Sequence, residues 1–160
     1  MGKVIDISSF KNYGLDEKLF ASKINKIIAE DDIKKQYSLI FDYICDYIDS
    51  DMKIHNYCDF QNGRCIANRL GKSVHIENGC CYQFRVGLCK HLINGTCTNK
   101  NIACKIFMCS YLEKQKIKYD LDEIFPIKLF FNRKQISVLK RGFFKPKDEI
   151  INLLLKYKTK

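Results

Sequence analysis

The chain has 160 residues, 46% of them hydrophobic, and 28 Lys and Arg against 18 Asp and Glu give a net charge of +10. That is the size of one ordinary domain with enough apolar side chains for a core, and two prolines with eight glycines exclude collagenous or low-complexity sequence. No apolar run approaches the roughly 20 residues of a membrane span, and residues 1–6 carry neither a signal-peptide core nor a myristoylation pattern (Asp6 stands where Ser or Thr is wanted), so a soluble, cytoplasmic protein without a membrane partner is expected.

In chain order, Leu19, Phe20, Ile24, Ile27 and Ile28 recur at helical steps and predict a helix near 16–30. Ile33, Tyr37, Ile40, Phe41, Ile44, Tyr47 and Ile48 repeat the period and predict a longer helix near 31–53. The middle of the chain has neither the helical nor the strand period. It is punctuated instead by Asn62-Gly63, Asn78-Gly79 and Asn94-Gly95, spaced 16 residues apart. Asn-Gly is the strongest short turn signal, because both residues tolerate positive φ. Further on, Ile127, Phe130, Phe131, Val138 and Leu139 suggest a helix stopped near Gly142, although Leu129-Phe130-Phe131 also suits a strand. Pro146 reads as a first helical residue with Asp148 and Glu149 in the first turn, and Ile150, Ile151, Leu154 and Tyr157 as the buried face.

Nine cysteines are the unusual feature, and eight of them fall within the 52 residues 58–109. The charge shifts at the same boundary: net −2 over 1–57, +5 over 58–109 and +7 over 110–160. With no long linker, the expectation is one domain spanning 1–160, its N-terminal part (1–57) and basic C-terminal part (110–160) helical and its centre (58–109) cysteine-rich. Structural disulfides suit secreted scaffolds, and nothing here marks export. Cys45, beside Ile44 in a predicted helix, reads as a core residue. The other eight sit on turns among Asn, Gly, Lys and Arg, where a thiolate favours a cation. They are therefore candidate metal ligands: Cys58, Cys65, Cys80, Cys81, Cys89, Cys97, Cys104 and Cys109. His91, two residues after Cys89, is a candidate mixed ligand or a donor to a sulfur, with a solvated surface histidine as the alternative. His55 and His75 lie in polar surroundings and read as solvent-exposed.

Eight thiolates are enough for two closed tetrahedral zinc sites, or for an iron–sulfur cluster with donors to spare. No Cys-x-x-Cys occurs, which argues against an ordinary zinc ribbon, and clusters tolerate irregular spacing. Adjacent side chains such as Cys80 and Cys81 diverge, so this pair serves two metals, or one ligand and one spectator. The run Gly79-Cys80-Cys81, Cys89-Lys90-His91-Leu92, Gly95-Thr96-Cys97 and Cys104-Lys105-Ile106-Phe107 resembles the YkgJ-type cysteine-cluster proteins, described as zinc- or iron-chelating domains. That resemblance implies Cys80, Cys81, Cys89, Cys97 and Cys104 as ligands and chelation rather than a defined reaction. The family's Cys-x-x-Cys just before the pair is absent here, with Cys58 and Cys65 standing much earlier. Its Arg-Pro before the last cysteine is Ile102-Ala103.

No nucleophile with a partnered base and no glycine-rich phosphate loop is visible, and the only carboxylates of the middle region are Asp59 and Glu77. The expectation is a mainly α fold, its terminal helices packed around an irregular, metal-organised centre. The metal is zinc or an iron–sulfur cluster in a structural or electron-handling role. A second reading is a basic, zinc-dependent nucleic-acid-binding module, since Lys and Arg alternate with Phe and Tyr from Tyr111 to Lys160. Lys outnumbers Arg 11 to 2 in 110–160, which argues against reading of base edges.

Overall fold

The computed structural model describes residues 17–72, 82–83, 87–122, 124 and 127–158. Of these, 57% are helical, so the fold is mainly α as expected. Helix α1 (Glu17–Ile28) buries Ile24 and Ile27, while Ile28 turns outward at 41% exposed. The Gln36 side-chain amide donates to the Ile27 carbonyl at 3.1 Å, satisfying one of the carbonyls the helix end leaves without a partner.

Helix α2 (Ile33–His55) is the axis of the molecule. Asp32 caps its start by accepting from the Lys34 and Lys35 N–H groups at 2.8 and 3.2 Å. Asn56, in the left-handed region at φ 48°, closes its end by donating to the Met52 carbonyl at 2.8 Å. Ile40, Phe41, Ile44 and Cys45 are fully buried along one stripe, which confirms Cys45 as a core residue. Burial pushes its thiol pKa up to about 12, so it is neutral and inert.

After α2 the described residues form only short elements up to residue 97: α3 (Ile66–Arg69), the paired strands β1 (Tyr82–Gln83) and β2 (Gly87–Leu88), and the paired strands β3 (Leu92–Ile93) and β4 (Thr96–Cys97), both pairs antiparallel. Two short helices follow, α4 (Ile102–Ile106) and α5 (Ser110–Lys114), then α6 (Ile127–Phe130), α7 (Arg133–Arg141) and α8 (Lys147–Lys156). The apolar run 129–131 is not a strand: Leu129 and Phe130 end α6. A single helix from 127 to 141 does not form either, because Asn132 starts α7 with a capping box. Its side chain accepts from the Gln135 N–H at 3.0 Å, and the Gln135 side chain accepts from the Asn132 N–H at 2.9 Å.

Gln135 itself is buried, and its amide donates to the Tyr37 hydroxyl and to the Leu154 carbonyl, both at 2.8 Å. It thereby ties α2, α7 and α8 together. Pro146 sits one position before the first helical residue of α8, as its N-cap. Ile150, Ile151 and Leu154 are buried as expected, but Tyr157 is the C-cap residue and 37% exposed. Gly142 is not in the left-handed region. A Cβ there would come within 3.1 Å of Ile150 Cδ1 and 3.2 Å of the Val138 carbonyl oxygen, so α7 and α8 pack tightly at this position.

The charge segregation seen in the sequence has a structural counterpart. Acidic residues of α2 receive cations from the two basic regions: Asp42 pairs with Lys147 at 2.7 Å, Asp46 with Lys100 at 3.4 Å and Asp49 with Lys105 at 2.5 Å. No helix among the described residues is long and apolar enough to cross a membrane.

Candidate metal centre

The first cysteine-bearing turn follows α2. Asn62 (φ 50°) and Gly63 (φ 74°) form a two-residue hairpin turn, and Gln61 and Arg64 exchange both backbone hydrogen bonds at 2.9 and 3.0 Å. Cys65 comes next as the N-cap of α3, and the Ile66 N–H donates to the Cys58 carbonyl at 2.8 Å, setting Cys58 beside Cys65. Arg69 of α3 clamps this loop. Its guanidinium donates to the Asp59 carboxylate, to the Asp59 carbonyl at 2.8 Å and to the Gln61 side chain at 3.0 Å. The Arg69 hydrogen bond holds the Asp59 carboxyl below its ordinary range, with Gln61 and Asn56 adding to it. Asp59 is thus committed to the loop.

The second turn joins β3 to β4. Asn94 (φ 49°) and Gly95 (φ 76°) again both take positive φ, as the dipeptide demands. Leu92 pairs with Cys97 across the hairpin, the Leu92 N–H donates to the Cys89 carbonyl at 2.9 Å, and the Thr98 N–H to the His91 carbonyl at 2.8 Å. Cys89 and Cys97 therefore flank one hairpin. The two turns touch: a Cβ on Gly95 would lie 3.0 Å from Phe60 Cβ, so only glycine leaves room for the first hairpin against the second. Asn78-Gly79, Cys80, Cys81 and His75 lie outside the described residues.

Helix α4 brings in the third cysteine. Asn101, fully buried, caps the helix by accepting from the Cys104 N–H at 3.0 Å, and its amide donates to the carbonyls of Gly142 (2.6 Å) and Lys145 (3.1 Å) in the α7–α8 loop. The same loop supplies the Phe144 backbone N–H to the Cys104 sulfur, and the Asn99 amide donates to that sulfur at 3.5 Å. Burial raises the Cys104 thiol pKa, and Cys97 and Cys89 are close enough to raise it further, because neighbouring thiolates repel. The two N–H donors act in the opposite sense. Lys105 is the next residue, with a side chain only 2% exposed. Its ammonium bridges Asp49 of α2 and the Cys97 carbonyl, the latter at 3.3 Å, and so locks β4 to the core.

Of the sequence candidates, Cys89, Cys97 and Cys104 are brought into one neighbourhood, and Cys58 and Cys65 into another beside it. Cys109, the N-cap of α5, and the half-buried His91 have no described contact with the other candidates. His55 is exposed as expected but not idle: it stacks on Tyr57 at 5.0 Å and its Nδ1 lies 3.1 Å from the Asp51 carbonyl. Cys45, Cys65, Cys89, Cys104 and Cys109 are free thiols. Among the described residues no three His, Cys, Asp or Glu side chains already converge on one metal-sized point. Asn99, Asn101, Lys105 and Phe144 were not singled out from the sequence as parts of this centre. Asn101 had a signal, as a helix-capping residue three before Cys104. The contribution of Phe144, 40 positions later, had none. No family model, curated protein or solved structure matches the chain.

Proposed function

We propose that the chain, acting as one domain over 1–160, is a metal-binding cysteine-cluster protein that holds zinc or an iron–sulfur cluster in a structural or electron-handling role. The observation that carries this reading is the gathering of Cys89, Cys97 and Cys104, from a hairpin and a helix start, with N–H donors from Phe144 and Asn99 on the Cys104 sulfur. Such donors stabilise thiolate charge and orient a ligand. The low apolar content of the region supports the same reading: of the described apolar residues between 57 and 101, only Ala67 is buried. A stretch with so little to bury gains much of its folding free energy from a bound cation.

In this proposal Cys89, Cys97 and Cys104 are three ligands and Cys80 or Cys81 is the fourth. The other member of that pair, with Cys58, Cys65, Cys109 and His91, remains for a second metal. A bound zinc would cross-link the turns, whereas a cluster would add one-electron chemistry. Elemental analysis and a visible spectrum of protein purified without oxygen test the proposal. Iron, sulfide and broad visible absorption mean a cluster, and a colourless protein with stoichiometric zinc means tetrahedral thiolate sites. Metal-free protein that is fully folded with unreactive thiols contradicts both. Cys81→Ser, Cys97→Ser and Cys104→Ser should each lower metal content, and Cys45→Ser should leave it unchanged.

A further inference from the structure

On the far side of the α7–α8 loop lies a groove of about 500 Å³, within the range of small-ligand sites. We propose that this groove binds a phosphate-bearing ligand with a flat ring: a nucleotide, either free or within a single strand of nucleic acid.

The lining combines three chemistries. From α7 come Lys134, Ser137 and Arg141, at steps that place them along one helix face, and Lys145 enters from the loop. Among the described residues neither Lys134 nor Arg141 has a carboxylate partner, whereas Lys100, Lys105, Lys140 and Lys147 are all engaged by aspartates. Lys145 pairs with Glu149, but no acidic residue lines the groove itself. Two uncompensated cations two helical turns apart, about 10 Å along α7, leave a concave positive surface.

The floor between them is apolar, formed by Val138 and Leu153 over Gly142, whose lack of a side chain keeps the helices close. Tyr157 also lines the groove, 37% exposed although its carbonyl is held by the Asn132 amide at 2.8 Å. A bare inorganic anion would satisfy the cations and waste the floor. A ring carrying a phosphate uses both: the phosphate meets Arg141 and Lys134, the ring lies on Val138 and Leu153, and Tyr157 stacks on it. Charged groove plus aromatic platform is how sequence-tolerant strand binders work. The dominance of Lys over Arg in this part of the chain fits binding without base reading.

The test uses the full chain as purified and fluorescence polarisation with a labelled oligothymidylate and a labelled adenosine nucleotide. Contacts to two or three phosphates predict that oligonucleotide affinity falls roughly tenfold between about 50 and 200 mM salt. Lys134→Glu combined with Arg141→Glu should weaken binding at least tenfold and remove most of the salt slope. Tyr157→Ala should cost about fivefold through lost stacking. Lys23→Glu with Lys26→Glu on exposed α1 makes the same charge change elsewhere and should leave the affinity within about twofold. Binding of both probes assigns the site to the ring–phosphate unit itself, and binding of the oligonucleotide alone assigns it to a strand. Equal losses in the two double variants, an unchanged salt slope, or no binding of either probe at low salt would overturn the proposal.

Discussion

Ile40, Phe41, Ile44 and Ile48 of α2 are at most 1% exposed, whereas every described cysteine other than Cys45 is only half-buried. The two regions are held by different physics. Around α2 the stabilising term is apolar area removed from water, repeated every three or four residues and shared with α1, α7 and α8. In the cysteine region it is geometry: two Asn-Gly turns, an arginine clamp, a buried capping asparagine and a buried lysine. Hydrogen bonds of that kind contribute about 1 kcal/mol each, net, and prevent misplacement more than they drive folding. A region so built specifies where its thiols sit and leaves the driving force to what the thiols bind.

The largest expected effect lies on the apolar side of this comparison. Phe41→Ala should cost about 3–5 kcal/mol in urea-induced unfolding, because its site is fully buried and cannot collapse around the void. Asn101→Ala, at the junction of the two regions, should cost about 2 kcal/mol. It removes the α4 cap and leaves the Gly142 and Lys145 carbonyls without their donor. Asn101→Asp keeps a cap acceptor but sets a buried carboxylate against the same two carbonyl oxygens, and should recover none of that loss at neutral pH by the same measurement. Within the turns, Gly95→Ala should destabilise by about 1–2 kcal/mol, since positive φ and the Phe60 contact both oppose a side chain. Gly63→Ala, at the same kind of φ with nothing within 4 Å, should cost less, and thermal melts of the pair separate strain from crowding.

The smallest effect is a pH dependence. The Asp59 carboxyl is lowered below 3.8 in the folded state, chiefly by Arg69. Its contribution is therefore fully present above the ordinary carboxylate pKa and is lost as pH falls through the lowered folded value. Arg69→Ala should flatten that acid sensitivity of the 58–66 loop, as read by the pH titration of the Gln61 and Arg64 amide signals.

How much of this was legible beforehand follows the same divide. The helices α1, α2 and α8 could be read because apolar residues recur with the helical period. The break between α6 and α7 could not be read from the period, which runs on through Phe130 and Phe131. Its signal was polar, in Asn132 and Gln135. Tyr157 looked buried because its spacing continues the α8 stripe, yet the helix ends there and the residue is 37% exposed. Asn62-Gly63 and Asn94-Gly95 are turns, as their φ preference requires. Where Cys104 lies relative to Cys97 and Cys89 was not legible, because Asn101 and Lys105 fix α4 against the α7–α8 loop and α2. Those contacts span 40 residues or more and leave no local pattern.

Hydrogen exchange with and without a strong chelator tests the central claim most directly. If a metal bound by residues 58–109 organises that region, stripping it should collapse amide protection around Cys89, Leu92, Cys97 and Cys104 while α2 and α8 keep theirs. Unchanged protection throughout, in protein shown to contain no metal before or after treatment, would contradict the account.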